Sequence, residues 1–341
     1  MKRLCLMFAA PLLLAANESP TPPAALEPYI EDGRFDPGDF DWLRGAFPDA
    51  DSEASEIWSE ISEWNRMCLT KAMTELRGKV AAAGYPNAPL IGVSDAPVLC
   101  LQTGVPAQIA MFDDFEQFQS ELAVAKPVID SYLFAVDQAK EAARPRFDEG
   151  LAAHLSFHIL QEQMVRRALF WGQGFAEDAP PLSPKGQAIA QARLGIEMAR
   201  LDGIATDWLK QVVEQQGWPT ISEVGAAGAS NAWLLAQHAD HDPLFQLKVL
   251  QLMEPLVGQG EADGRNFAYL YDRVMLKLAG AQRYGTQMHC PAGAFEPQPL
   301  ELPDDIDQLR ADVGLEPIED YIASITKMSG SCIPPPGQRE L

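Results

Sequence analysis

Apolar residues recur at intervals of three and four along most of this chain, the period of helices that each bury one face. Over residues 55–83 they fall at Ile57, Trp58, Ile61, Trp64, Met67, Cys68, Met73 and Leu76, and Gly84 closes the run. The same spacing predicts helices over 115–142, 149–171, 186–216, 228–239, 243–257 and 265–278. Asp242 directly precedes Pro243, the cap-and-first-position pair that starts a helix. Gly217 and Gly280 fall where helices need a left-handed residue to end. Only residues 88–112, short apolar groups separated by Pro and Gly, suggest a small strand or two. The fold class expected is therefore mainly α, a multi-helix globular protein with a C-terminal helical domain.

The N-terminus has a different pattern. Met1-Lys2-Arg3 is followed by an apolar run over residues 4–16 and then by the polar Asn17-Glu18-Ser19-Pro20. This order reads as a signal peptide, 1–16, cut near Ala16, which makes the mature protein periplasmic or secreted. The run is shorter than the ~20 residues a membrane anchor needs, so no membrane association is expected after cleavage. Cys5 lies close to the N-terminus with most of the apolar run after it, and is not placed as a lipidation cysteine. Residues 17–50, rich in Pro, Gly and acidic side chains, read as an extended lead-in rather than packed structure. An N-terminal helical region over 51–175 follows, then a loop over 175–184, a C-terminal helical domain over 185–325 and a tail over 326–341.

Charge narrows the partners. The chain carries a formal net charge of −22, and losing Lys2 and Arg3 with the leader makes it two units more negative. That field opposes phosphate backbones and anionic membranes, so nucleic acid is excluded as a partner, and it keeps the protein soluble. Four cysteines remain after cleavage, Cys68, Cys100, Cys290 and Cys332. An even count in an exported chain suggests two disulfides with three possible pairings, of which the most economical, nearest in sequence, joins Cys68 to Cys100 and Cys290 to Cys332. No pair has zinc-finger spacing.

Candidate chemistry is sparse. His154 and His158 lie four apart on one predicted helix, facing the interior or a cleft, and could share a metal; Leu155 occupies the position where the zinc-protease pattern has Glu. The turn Gln237-His238-Ala239-Asp240-His241-Asp242 gathers two imidazoles and two carboxylates, enough for a general base or for completing a metal site with the first pair. Helix-end roles account for the same residues: Asp242 as a cap, His238 or His241 on free carbonyls. Serine-nucleophile patterns, phosphate-cradling glycine loops and dinucleotide fingerprints are absent, and no cofactor is expected.

A longer series of segments is distinctive in its order: Asp207-Trp208-Leu209-Lys210, Gly217-Trp218-Pro219, Val224-Gly225, Ala232-Trp233-Leu234-Leu235, Gln237-His238-Ala239-Asp240 and Asp242-Pro243. Tyr269-Leu270, Asp272-Arg273-Val274, Gln282, Tyr284-Gly285-Thr286-Gln287, Val313-Gly314-Leu315 and Tyr321 complete it. The series resembles a bacterial family of unknown function, domain family 6624, over about residues 160–323. The resemblance implies a helical domain and no activity. Members often have Asn where this chain has Ala205, and many lack a signal peptide. Its polar positions here are Gln237, His238, Asp240, Asp272, Arg273, Gln282, Tyr284, Thr286 and Gln287. They form either a buried network that fixes helix packing or a binding cleft in which His238 and Asp240 face the loop 284–287. That loop is expected to rest on the helix ending at Asp240.

The function expected is that of an exported, non-catalytic helical module that binds a protein, peptide or small-molecule ligand. The alternative is a hydrolase, metal-assisted or not, using His238 and Asp240 with His154, His158 or His241 as supporting metal ligands.

Overall fold

Five of the helices begin where a short polar side chain accepts from a free amide of the first turn. In this computed structural model, which describes residues 20–31, 34–91, 93, 109–146, 150–171, 179–291, 293–329 and 332, Asp51 caps α1 (Ser52–Ala82) and Asp114 caps α2 (Phe115–Ala143). After α3 (Leu151–Ala168), Ser183 caps α4 (Pro184–Gln216), with Pro184 in the first turn. Asp242 caps α6 (Pro243–Val257) and Asp263 caps α7 (Gly264–Leu278). Gly217 and Gly280 take φ of 83° and 80°, the left-handed endings their positions predict.

The sequence places α5 too late. It runs Ile221–Gln237 rather than from 228, because Thr220 and Glu223 form a capping box and Gly225, at φ 72°, kinks the helix and interrupts its period. Two short α-helices, α8 (Ile306–Asp312) and α9 (Ile318–Ser329), follow α7. The strand element expected near 88–112 falls mostly outside the described residues. The strands described are elsewhere, in two hairpins: β1 (Ile30–Glu31) with β2 (Arg34–Phe35), and β3 (Met288–His289) with β4 (Glu296–Pro297).

The lead-in is packed, contrary to the extended segment expected. Two 3-10 helices, Ala24–Tyr29 and Asp41–Ala46, flank the first hairpin and bury Leu26, Phe35, Phe40, Trp42, Leu43 and Phe47. Phe47 meets Phe115 edge-on at 5.3 Å, and the Trp64 indole donates to the Pro20 carbonyl at 2.9 Å. A Cβ at Gly45 would fall 1.9 Å from the Ala54 carbonyl oxygen, so only glycine lets this segment close on α1. Each large side chain so buried contributes ~1.5–3 kcal/mol.

Two apolar cores result, and the division between them runs across helices, not at the loop 175–184. Ile61 and Trp64 of α1, Val165 of α3 and Leu194 and Leu201 of α4 belong to the first core with the lead-in. Val80, Leu155, Ala205 and Leu209, from the other ends of those same helices, belong to the second with α5, α6 and α7. Cys290 and Cys332 form a disulfide, as nearest-neighbour pairing predicts; Cys100, and with it the other expected bridge, lies outside the described residues. No helix among the described residues is long and apolar enough to cross a membrane.

Candidate functional site

The turn after α5 sends its two candidate catalytic side chains in different directions. Asp240 faces α7. It accepts from Arg273 Nε at 2.7 Å, from Arg273 Nη2, from Lys277 Nζ and, at 3.3 Å, from Gln246 Nε2. Gln246, fully buried, also donates to the Ala236 and Gln237 carbonyls at 3.0 and 2.9 Å, closing the free end of α5. Burial alone would raise the Asp240 carboxyl, but the Arg273 hydrogen bond and the Lys277 and Arg273 charges bring it down to about 2. Burial lowers Lys277 to about 8 against the attraction of Asp240. A carboxylate this acidic and this fully paired is a poor general base.

The loop 284–287 is held from α7, not from the end of α5. Asp272, fully buried, accepts from the amides of Arg283 (2.8 Å), Tyr284 (2.9 Å) and Thr286 (2.8 Å) and from the Thr286 hydroxyl (2.9 Å). From the opposite side the buried Arg310 donates to the Tyr284 carbonyl at 2.6 Å, and the Tyr321 hydroxyl donates to the Thr286 carbonyl at 3.0 Å. Gln282 spans the loop, accepting from the Gln287 amide and donating to the Gln287 and Gln298 carbonyls. Among the described residues no hydrogen bond joins this loop to His238 or Asp240, which corrects the expected contact. A carboxylate that collects three amides of the loop satisfies it more completely than one imidazole could.

His238 points the other way, to α3 and α4. Its Nδ1 is buried and lies 2.8 Å from Glu162 Oε1, but off the direction of a linear hydrogen bond. Glu162, 1% exposed, also pairs with Arg166 Nε and accepts from Gln163 Nε2 at 2.6 Å. Arg166 Nη2 reaches both oxygens of Asp202, at 2.9 and 3.0 Å. Burial pushes the Asp202 carboxyl up to about 6, a rise that Arg166 restrains and the Glu162 charge reinforces. Burial opposes the ionisation of Glu162 as well, but its His238 and Arg166 partners hold that carboxyl below the ordinary value. One ligand-type atom each from Glu162, Asp202 and His238 lies within 4.8 Å of the others. The cluster sits at the seam between the cores, with Leu155 and Val165 on either side of Glu162 in α3, and Leu201 and Ala205 on either side of Asp202 in α4.

The remaining histidines lie apart from it. His154 is exposed rather than turned inward, on the rim of a shallow depression of about 320 Å³ beside Trp208. His158 stacks on Trp208 at 4.0 Å, and burial, with the charges of Lys140 and His154, lowers it to about 4. His241 is half-buried beside Asp242, which pairs with Lys210 at 2.7 Å. None of these three joins a group of ligand-type side chains among the described residues.

A cleft of about 260 Å³ opens between α5, α6 and α7. Trp218, Ile221, Trp233 and Met253 form its apolar wall, and Ser230 and Asn266 add polar side chains. Neither side chain of that polar pair is hydrogen-bonded to the protein among the described residues, and the buried Trp233 indole N–H has no acceptor either. None of the signature residues of the loop 284–287 lines this cleft.

Residues 182–332 match the model of a family of unknown function (DUF6624). No curated protein and no solved structure matches the chain. The DUF6624 match begins later than the resemblance read from the motifs, at residue 182 rather than near 160, and reaches Cys332. Asp202, His238 and the cleft therefore lie within the DUF6624 segment, while Glu162 and Arg166 come from outside it. Sequence reasoning missed Glu162, Arg166 and Asp202. One signal was legible: Asp202 is a lone carboxylate between apolar neighbours in a long helix, a placement that demands a partner. Which partner is a matter of tertiary packing, since His238 lies on another helix.

Proposed function

We propose that this chain is an exported helical binding module whose DUF6624 segment takes a small ligand, with a planar or apolar body and a polar end, in the cleft between α5, α6 and α7. The observation that carries the reading is the cleft itself: two indoles line a space just below the usual range of ligand-pocket size, beside a hydroxyl and an amide free to bond a ligand. Most of the signature side chains, in contrast, spend their hydrogen bonds inside the protein: Asp240 and Arg273 tie the end of α5 to α7, and Asp272 and Gln282 hold the loop 284–287. Export is supported by the charged start, the apolar run and the Cys290–Cys332 bridge. The hydrolase reading loses its carboxylate, because Asp240 is fully engaged with Arg273 and Lys277.

The test uses the indole N–H signals of the seven tryptophans in the full mature chain. Adding a panel of neutral planar heterocycles should shift the Trp218 and Trp233 signals, assigned through Trp→Phe variants, and leave Trp42 and Trp64 in place. Ser230→Leu should abolish the shifts by filling the cleft. Probes that move no indole, or that move the same signals in Ser230→Leu, would exclude the cleft as the binding site.

A further inference from the structure

Six buried side-chain polar atoms among the described residues make no hydrogen bond, and one of them is Nδ1 of His238; Oε1 of Gln237, the preceding residue, and Oγ1 of Thr206 in α4 are two others. Thr206 is fully buried and stands one helical turn after Asp202, on the same side of α4. Native interiors pair the large majority of such atoms, so a buried imidazole nitrogen left unbonded beside two carboxylates calls for an explanation. We propose that Glu162, Asp202 and His238 form a binding site for a divalent first-row transition ion, with Arg166 competing for the two carboxylates.

Three observations point there independently of the cleft. The donor atoms are mutually within 4.8 Å, close to the separation of ligands on one ion, and small side-chain rotations would close the remainder. The His238 nitrogen and the Glu162 oxygen stand side by side at 2.8 Å rather than in line, as two donors converging on a third point would. Charge is the third: the buried Glu162 and the partly buried Asp202 face a single guanidinium, so a 2+ ion would balance what Arg166 balances by half. One imidazole with two carboxylates suits Zn²⁺ better than Mg²⁺, which prefers oxygen and keeps its water. Arg166 is the most exposed member, 28% by side chain, and can swing outward without opening a core.

The experiment is calorimetric titration of the chelator-treated full chain with Zn²⁺, and with Mg²⁺ for comparison. One Zn²⁺ should bind per chain, with Mg²⁺ at least tenfold weaker. Glu162→Gln and Asp202→Asn, which keep shape, should each weaken Zn²⁺ roughly tenfold or more, the scale seen when site partners are lost. Arg166→Gln should do the opposite and tighten Zn²⁺. That reversal separates an ion site from a static ion-pair network, in which all three changes would only destabilise the fold. If His238→Ala fails to fold, Co²⁺ added to the unaltered protein gives a second reading: visible absorption bands and a shifted His238 ring signal. No Zn²⁺ binding, binding that survives Glu162→Gln, or weaker binding in Arg166→Gln would overturn the proposal.

Discussion

On one side of the turn between α5 and α6, Asp240 meets two cations and a glutamine, and nearby Asp272 gathers three amides and a hydroxyl. On the other side, His238 meets two carboxylates held by one arginine, and its Nδ1 makes no hydrogen bond. Both regions are polar and largely buried, yet both carboxylates of the first are fully hydrogen-bonded, while the imidazole of the second keeps an unbonded nitrogen. Complete networks fix a structure; incomplete ones mark where something besides packing selected the residues. The signature of the family therefore divides into residues that build the frame and, through His238, one that the frame presents to α3.

The comparison is broken most severely at Asp272. Asp272→Ala strands three buried amides at once and should cost ~4 kcal/mol or more in urea unfolding, against a small fraction of that for Asp202→Asn in the incomplete cluster. Equal losses would mean that the two regions do not differ. Losing the Cys290–Cys332 bridge, which closes a separation of 42 residues, should cost about 4 kcal/mol in the same assay, read as the difference between the oxidised protein and its Cys290→Ser/Cys332→Ser double variant.

Acid sharpens the picture further. Asp240 falls from an ordinary value of 3.8 to about 2 on folding, so its contribution is fully present above pH 4 and is lost as pH falls toward 2. The loss amounts to roughly 2 kcal/mol, and Asp240→Asn should flatten that part of the stability profile. The smallest effect tests the separation of the loop from His238. Losses from His238→Ala and Gln287→Ala should add to within about 0.5 kcal/mol, since the two residues share no bond; a larger coupling would put them in contact after all.

Helices with a clear apolar stripe and a cap were legible in advance: α6 begins and ends at the expected residues, and Asp242 caps it. What escaped had no period to read. The 3-10 turns of the lead-in are too short to show one, and the proline and acidic content around Phe40, Trp42 and Phe47 disguised a buried aromatic group. In α5, Gly225 broke the spacing that would have revealed its first turn. His238 was legible as a candidate but its partners were not, because Glu162 and Asp202 lie on other helices and only packing brings them within reach. The loop 284–287 was recognised as ordered, but assigned to the wrong support: Asp272 and His238 were both polar members of one signature, and sequence order does not say which of them faces it.

The length of α4 carries a last consequence. At 33 residues, or about 50 Å, it buries Leu194 and Leu201 in one core and Leu209 and Val213 in the other. A single rod threaded through both interiors ties their fates together, so neither half can melt while the other keeps its share of the helix covered. Amide exchange along α4 should therefore slow to one common rate set by whole-molecule opening, with protection running unbroken past Gly203. A fragment beginning at residue 182 would carry the rod without half of its sheath and present Ile189, Leu194 and Met198 to solvent as an adhesive stripe.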